Sequence, residues 1–258
     1  MKLPFLPHRG IKPRVAGLTM VMDKGLYECQ VEGLCELAAP HIDFIKLGFG
    51  TSLFTGGLES KLQTYRKYGV KVYPGGTLFE AFYLRGMVDE FETFMEENHF
   101  ETLEISDGSV IMPHSEKCKL IERFSKKYQV LSEVGSKVAG VEVVTEDWIS
   151  MMKDELNAGS DFVIAEAREA GNVGIFDGKG QAKSEMIGQI VSCVPQNKII
   201  WEAPTKSQQV WFVKELGANV NLGNIAADEI LSLETIRCGL RGDTFGLHLP
   251  EELKVKVQ

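Results

Sequence analysis

A parallel (β/α)8 barrel is the fold class this sequence predicts, and three observations predict it. Short β-branched or aromatic runs alternate with longer stretches of helical spacing, there are eight such runs, and 258 residues is a length at which eight units close a barrel. The runs are Val15–Thr19, Phe44–Leu47, Val70–Tyr73, Thr102–Ile105, Gln129–Ser132, Phe162–Ala165, Ile199–Trp201 and Ala218–Leu222. The polar or glycine residues that close them are Asp23, Lys46, Gly75, Glu104, Glu133, Glu166, Glu202 and Gly223. From Lys46 to Glu133 these closing residues recur every 29 positions. Parallel strands need a crossover of about a dozen residues or more, so such a period reads as repeated βαβ units.

Helix signals fall between the runs. Phe82–Met87 continues into Glu90–Asn98 as one helical stretch. In Ser115–Tyr128, Cys118, Ile121 and Phe124 share one face and the charges take the other. Thr145 reads as the N-cap of the next helix, with Glu146 and Asp147 in its first turn. Trp148, Trp211 and Phe212 fit helix faces that pack on the barrel. An open doubly wound sheet is the competing topology, but Gly48-Phe-Gly50-Thr-Ser-Leu53 supplies only the first two glycines of a dinucleotide fingerprint. No linker or low-complexity stretch interrupts the chain. Residues 1–258 therefore read as one domain, with a lead-in over 1–13 and a tail over 245–258.

Composition narrows the function. A net charge of −8 excludes a phosphate-tracking surface and hence nucleic acid as the main partner. No apolar run approaches the roughly 20 residues of a membrane span, and the amino terminus has no apolar core of a signal peptide. Five cysteines without a C-x-x-C pair argue against a disulfide framework or zinc, so a reducing cytoplasm is expected. Barrels of this size commonly self-associate; a homo-oligomer is expected, with Met151, Met152 or the tail as contributors.

Chemistry in this fold sits at the carboxyl ends of the strands. Four consecutive strands finish in Glu: Glu104, Glu133, Glu166 and Glu202, with Asp23 and Asp107 as further acids. Any one such Glu is as readily a surface ion pair, and Glu202 is the weakest of the four, because Pro204 lets it serve the turn alone. Four in register demand cations: the bases Lys46, Lys137, Arg168 and Lys206, or a divalent metal. Oxygen-only donors favour Mg2+ or Mn2+ over zinc. Lys46 ends a buried strand, which also suits an internal salt bridge. Lys137 follows a flexible glycine and, beside carboxylates, stays protonated, which suits an acid or anion clamp. Arg168 offers a planar fork for carboxylate, phosphate or sulfonate. Gly48, Gly50, Gly75, Gly76, Gly108, Gly135 and Gly223 follow strands and let backbone amides approach an anion. Gly223-Asn224, just before a helix expected near Ala226–Asp228, occupies the usual phosphate position of barrels. The five histidines lie away from strand ends, which argues against a His base.

Five segments in order resemble the phosphosulfolactate synthases: Arg14-x-x-Gly17-x-Thr19-x-x-x-Asp23-x-Gly25, Lys46-Leu-Gly-Phe-Gly-Thr51-Ser52, Pro74-Gly-Gly-Thr77-x-x-Glu80, Glu104-Ile-Ser-Asp-Gly108 and Glu133-Val-Gly-x-Lys137. The resemblance runs from about Arg14 to Arg241. It implies a (β/α)8 barrel that joins sulfite to phosphoenolpyruvate with Mg2+, a step opening coenzyme M biosynthesis in methanogens and serving sulfolactate formation in bacteria. On that resemblance Lys137 gives the proton, and Glu104, Asp107 and Glu133 hold the metal. Lys46 and Arg168 then hold sulfite and the substrate carboxylate or phosphate. The glycines Gly48, Gly75, Gly76 and Gly223, with Asn224, take the substrate and its phosphate. The family also resembles a plant heat-stress-associated protein; the charged mouth favours chemistry over such a binding role. A barrel lyase or aldolase acting on another phosphorylated acid is the third reading.

Overall fold

The computed structural model describes residues 3–135, 144–167 and 170–256. Its strands are β1 Thr19–Asp23, β2 Phe44–Leu47, β3 Lys71–Pro74, β4 Thr102–Ile105, β5 Gln129–Val134, β6 Phe162–Ala165, β7 Ile199–Glu202 and β8 Leu222–Ala226. Between and after them run α1 Glu28–Ala38, α2 Leu58–Lys67, α3 Gly76–Tyr83, α4 Val88–Glu97, α5 His114–Ser125, α6 Thr145–Ala158, α7 Ser184–Cys193, α8 Lys206–Leu216, α9 Ile230–Arg237 and the short α10 Glu251–Lys254. The strands form one sheet in the order β3-β2-β1-β8-β7-β6-β5-β4, every pair parallel. β3 and β4 lie edge to edge without a ladder, and that seam is where the barrel closes. It is the predicted (β/α)8 barrel.

Side chains along a strand alternate between faces, and this alternation splits the core in two. Inward, Leu18, Met20, Phe44, Tyr73, Leu131, Ile164 and Ile200 fill the barrel. Outward, Val21, Ile45, Leu103, Val130, Val163 and Trp201 meet the helix faces, including Trp148, Met152 and Phe212. Trp211 packs against that layer and is only partly buried.

The first and last strands sit further along than the sequence pattern predicts. β1 begins at Thr19 rather than Val15, because Val15 is 76% exposed and Gly17 turns the chain at φ 71°. The lead-in therefore extends past residue 13, with Arg14 tied to Asp43 at 2.9 Å. β8 begins at Leu222, where the Ala218–Leu222 run ends. Ahead of it Asn221 spends its side chain on the Leu18 amide and the Asn197 and Ile199 carbonyls. Gly223 is thus a strand residue, and the following helix opens at Ile230 rather than near Ala226. Residues 82–98 are two helices rather than one, since Gly86 at φ 69° reverses the chain between α3 and α4. α6 starts at Thr145 itself, behind a Val144 cap without a side-chain bond.

Arg237 secures the junction of β1 and β8 from α9. Fully buried, it donates to the carbonyls of Ala218 (2.7 Å), Val220 (2.6 Å) and Leu18 (3.2 Å). Ala218 also accepts from Arg9 and Leu18 from the Leu222 amide, so Arg237 is the donor whose loss strands the Val220 carbonyl. A buried carbonyl left without a donor costs about 1–3 kcal/mol. Arg237→Met is expected to lower stability by about that much in urea unfolding; a loss well under about 1 kcal/mol would show that the Val220 carbonyl finds another donor.

Candidate active site

The same alternation that builds the barrel interior places the charged residues. Two positions beyond an inward apolar residue lies an inward charged one: Lys46 beyond Phe44, Glu133 beyond Leu131, Glu166 beyond Ile164, and Glu202 beyond Ile200. Glu104 sits likewise two beyond the buried Thr102. All five are buried at the carboxyl ends of their strands. They form a charged layer directly on the apolar one, and sequence period alone specifies it.

Lys46 is the centre of this layer. Its ammonium lies 3.0 Å from Glu104 Oε1, 3.4 Å from Glu133 Oε2 and 3.4 Å from Glu202 Oε1. Burial works against the charged lysine, but the three glutamates outweigh it and hold its pKa well above the ordinary value. The expected salt bridge of Lys46 is therefore present, shared three ways. Burial raises Glu202 to about 7, with Lys46 opposing and Glu133 and Glu104 adding to the rise; the Ala167 amide donates to its other oxygen at 3.0 Å. Its carboxyl faces Lys46 in the mouth, so the following turn is not its only task. Burial and the neighbouring Glu104 likewise keep the Tyr73 phenol protonated.

Glu133, Glu166 and Glu202 each bring an oxygen within 4.8 Å of the others. Three buried carboxylates without His or Cys are hard oxygen donors, the set that suits Mg2+. This trio fits a divalent cation, and it differs from the set Glu104, Asp107 and Glu133. Glu104 instead spends Oε1 on Lys46 and on the Gly76 amide at 2.8 Å, across the seam between β3 and β4. Asp107 is turned to Lys117 at 2.8 Å. Asp23 is turned to Lys61 at 2.6 Å and to Tyr65 at 2.9 Å, and it closes the turn after β1 through the Gly25 and Leu26 amides. Lys206, on the outer surface, pairs with Asp243.

A cavity of about 330 Å3 opens over the layer, lined by Lys46, Glu133, Glu166 and Glu202 and walled by Met22, Gly48, Phe49, Gly75, Thr77, Ala170 and Asn224. A larger one, about 570 Å3, opens at the opposite end of the strands between Arg14, Phe44, Lys71 and Phe162. It lacks the clustered carboxylates, so the chemistry belongs to the smaller. Gly76 stands behind the first cavity, where a Cβ would come within 2.4 Å of Ser106 Cβ and 2.7 Å of Glu104 Oε1. On the inner face of β8, a Cβ at Gly223 would meet Met20 and Ile200. Asn224 holds φ 55°, and its buried Oδ1 has no hydrogen-bond partner among the described residues. Lys137 and Arg168 lie outside the described residues.

Sequence reasoning missed several contributors. Ser106 Oγ lies 2.7 Å from Glu80 Oε1 and 3.0 Å from Glu133 Oε1; its place two residues past Glu104 on the same strand face was the available signal. Glu80 is buried on α3, one helical turn from Gly76. On α5 the buried stripe is Lys117, Ile121 and Phe124, so a lysine takes the position assigned to Cys118. A charged residue in an apolar helical stripe is a readable anomaly.

Residues 7–243 match the family described as (2R)-phospho-3-sulfolactate synthase (ComA). The chain is 44% identical over 246 residues to the phosphosulfolactate synthase of Methanothermobacter thermautotrophicus, covering 93% of this chain and 95% of that protein. To the enzyme of that name from Methanocaldococcus jannaschii it is 45% identical, covering 89% and 94%. To the one from Bacillus subtilis it is 39% identical, covering 94% and 97%. Among solved structures, 3-hexulose-6-phosphate synthase from Salmonella typhimurium superposes with a TM-score of 0.55 at 12% identity, covering 87% of this chain and 100% of that one. Thiamine phosphate pyrophosphorylase from Pyrococcus furiosus gives 0.54 at 11%, covering 92% and 98%. At such identities these two speak for the barrel alone. The match across nearly the whole chain and these three relatives place the chain in the phosphosulfolactate synthase family.

Proposed function

We propose that this enzyme adds sulfite to phosphoenolpyruvate, a carbon–sulfur bond-forming lyase reaction that yields 2-phospho-3-sulfolactate and depends on Mg2+. The observation that carries the proposal is the oxygen-only trio of Glu133, Glu166 and Glu202 beside Lys46 in the barrel mouth, in a chain of this family. In the reaction, the sulfur lone pair of sulfite attacks the methylene carbon of the enol phosphate. The electron pair of the double bond moves toward the substrate carboxylate, and the adjacent carbon then takes one proton. Glu133, Glu166 and Glu202 would hold Mg2+, which would supply positive charge against the charge that gathers on the carboxylate.

The chain's own residues do the rest. Lys46, kept protonated by its glutamates, presents a fixed cation to an anionic substrate group. Gly48 and Gly75 line the cavity and let a substrate come close to the backbone. Asn224, at the cavity wall, offers the N–H side of its side-chain amide, a donor, to the phosphate. Arg168 is the second anion clamp and Lys137 the proton donor, both on the family resemblance. The site of action is a reducing cytoplasm.

Purified protein with Mg2+ is expected to consume phosphoenolpyruvate only when sulfite is present, without phosphate release. Consumption without sulfite, or release of phosphate, would overturn the reaction assigned. Lys137→Ala is expected to lower turnover at saturating substrates by about 100-fold or more, the scale of general acid catalysis. Wild-type turnover would remove Lys137 from the proton transfer.

The raised Glu202 gives a pH signature. Its folded pKa of about 7 exceeds the ordinary 4.5, so between those values the folded state holds the extra proton. That contribution to stability is full below about 4.5, declines as pH rises, and is gone above about 7; it amounts to at most about 3 kcal/mol. Chelated protein should therefore lose thermal stability as pH rises from about 4.5 to about 7, and Glu202→Gln should flatten the profile. Mg2+ should restore stability at the alkaline end by replacing the proton. An unchanged profile in Glu202→Gln would show that another group titrates.

A further inference from the structure

Lys117 makes three contacts that nothing in the proposed reaction uses. It is 1% exposed on the inner face of α5. Its ammonium lies 2.8 Å from Asp107 Oδ1, 2.8 Å from Glu155 Oε1 and 2.6 Å from the main-chain carbonyl of Glu133. It donates hydrogen bonds to the loop after β4 and to the end of β5, and it ion-pairs with helix α6, so one ammonium ties three elements. Burial opposes the charge, and Glu155 and then Asp107 more than offset it, so the lysine stays protonated. Glu155 is itself raised by burial, with Lys117 drawing it back down. His114 faces the same cluster, its ring 3.8 Å from both Glu155 and Asp154.

The carbonyl that Lys117 holds belongs to the residue whose side chain enters the mouth. Glu133 Oε2 meets Lys46, Oε1 meets Ser106, and the carboxylate stands in the trio with Glu166 and Glu202. Fixing a main-chain carbonyl at the end of a short strand fixes where that strand's last inward side chain points. The next residues allow little compensation. Val134 is buried, and Gly135 at φ 141° leaves room for no Cβ, which would stand 2.6 Å from Glu166 Cβ.

We propose that Lys117 is a positioning residue for the cation site. Through the Glu133 carbonyl it sets that carboxylate against Glu166 and Glu202, and through Asp107 it draws a competing carboxylate away from the mouth. The lysine touches neither cation nor substrate. The inference rests on the reading that the mouth holds a divalent cation, and it is independent of which substrates are joined.

Mn2+ titration followed by electron paramagnetic resonance, with melting temperature alongside, tests it on the full chain. Four variants are needed: Glu133→Gln, Asp107→Asn, Lys117→Met and the triple Lys117→Met/Asp107→Asn/Glu155→Gln. Glu133→Gln should weaken Mn2+ binding by about 10-fold or more; wild-type affinity there would end the cation site itself, and this proposal with it. Asp107→Asn should change affinity by less than about 3-fold, since Asp107 faces the lysine; a loss matching Glu133→Gln would make Asp107 a ligand and overturn the proposal. Lys117→Met should bind Mn2+ about 10-fold more weakly and melt lower, because the buried Glu155 and the half-buried Asp107 lose their partner. The triple variant removes those stranded charges, so its melting temperature should recover while Mn2+ affinity stays about 10-fold low. Recovery of both would reduce Lys117 to a structural ion pair. If neither lysine variant folds, the contrast between Asp107→Asn and Glu133→Gln still decides whether the lysine or the cation holds Asp107. Synthase activity is assayed separately: Mn2+ binding in this pattern without sulfite-dependent turnover would remove the reaction and leave the positioning role standing.

Discussion

The arrangement of this barrel depends on one buried ammonium. Lys46 sits among Glu104, Glu133 and Glu202 at 3.0–3.4 Å, where it opposes the repulsion among glutamates that neighbouring strands bring to one mouth. Two carboxylates about 5 Å apart repel by roughly 3 kcal/mol at an effective dielectric near 20, and an ion pair at 3–3.4 Å returns roughly 5 kcal/mol. One lysine therefore offsets part of the repulsion and not all of it. Among the described residues the layer remains net negative when every glutamate is ionised, and burial first, with Glu133 and Glu104 adding to it against Lys46, raises Glu202 to about 7. A proton there, or a divalent cation, would relieve that negative charge.

That layer exists because a strand's side chains alternate. The register puts Lys46 of β2 beside Tyr73 of β3, and Glu202 of β7 beside Gly223 of β8. Shifting any of these strands by one residue would turn its charged side chain out into the helix layer and an apolar one inward. The apolar floor of Phe44, Leu131, Ile164 and Ile200 is thus as much a part of the site as the carboxylates. It excludes water from beneath them, and it fixes their height along the barrel axis.

The strand count, the barrel and the charged layer were legible in the sequence because they follow from period and order. β2, β4 and β6 fall where their hydrophobic runs fall. The two strands that shift, β1 and β8, are those whose boundaries depend on partners far away in sequence. Asn221 reaches Leu18 and Ile199, and Arg237 reaches across both strands; no local pattern reports this. The sorting of acids was hidden for the same reason. Asp23, Asp107 and the four glutamates look alike in sequence, yet Lys61 and Lys117, both from helices, claim the two aspartates. Which acids remain for a cation is decided by which lysines the helices bring in. The lysine on the buried stripe of α5 was the one local clue.

The same electrostatics bears on how an acidic mouth serves anionic substrates in the proposed reaction. Phosphoenolpyruvate and sulfite both carry negative charge, and the carboxylate layer by itself opposes their entry. In that proposal a divalent cation on Glu133, Glu166 and Glu202 would reverse that opposition at the carboxylate layer. Lys46 cannot do this alone, because its charge is already divided among three glutamates. On that reading the acids would be the cost of holding the cation, and the cation the condition for admitting the anions, which gives glutamate-built strand ends a place in a barrel proposed to act on anions.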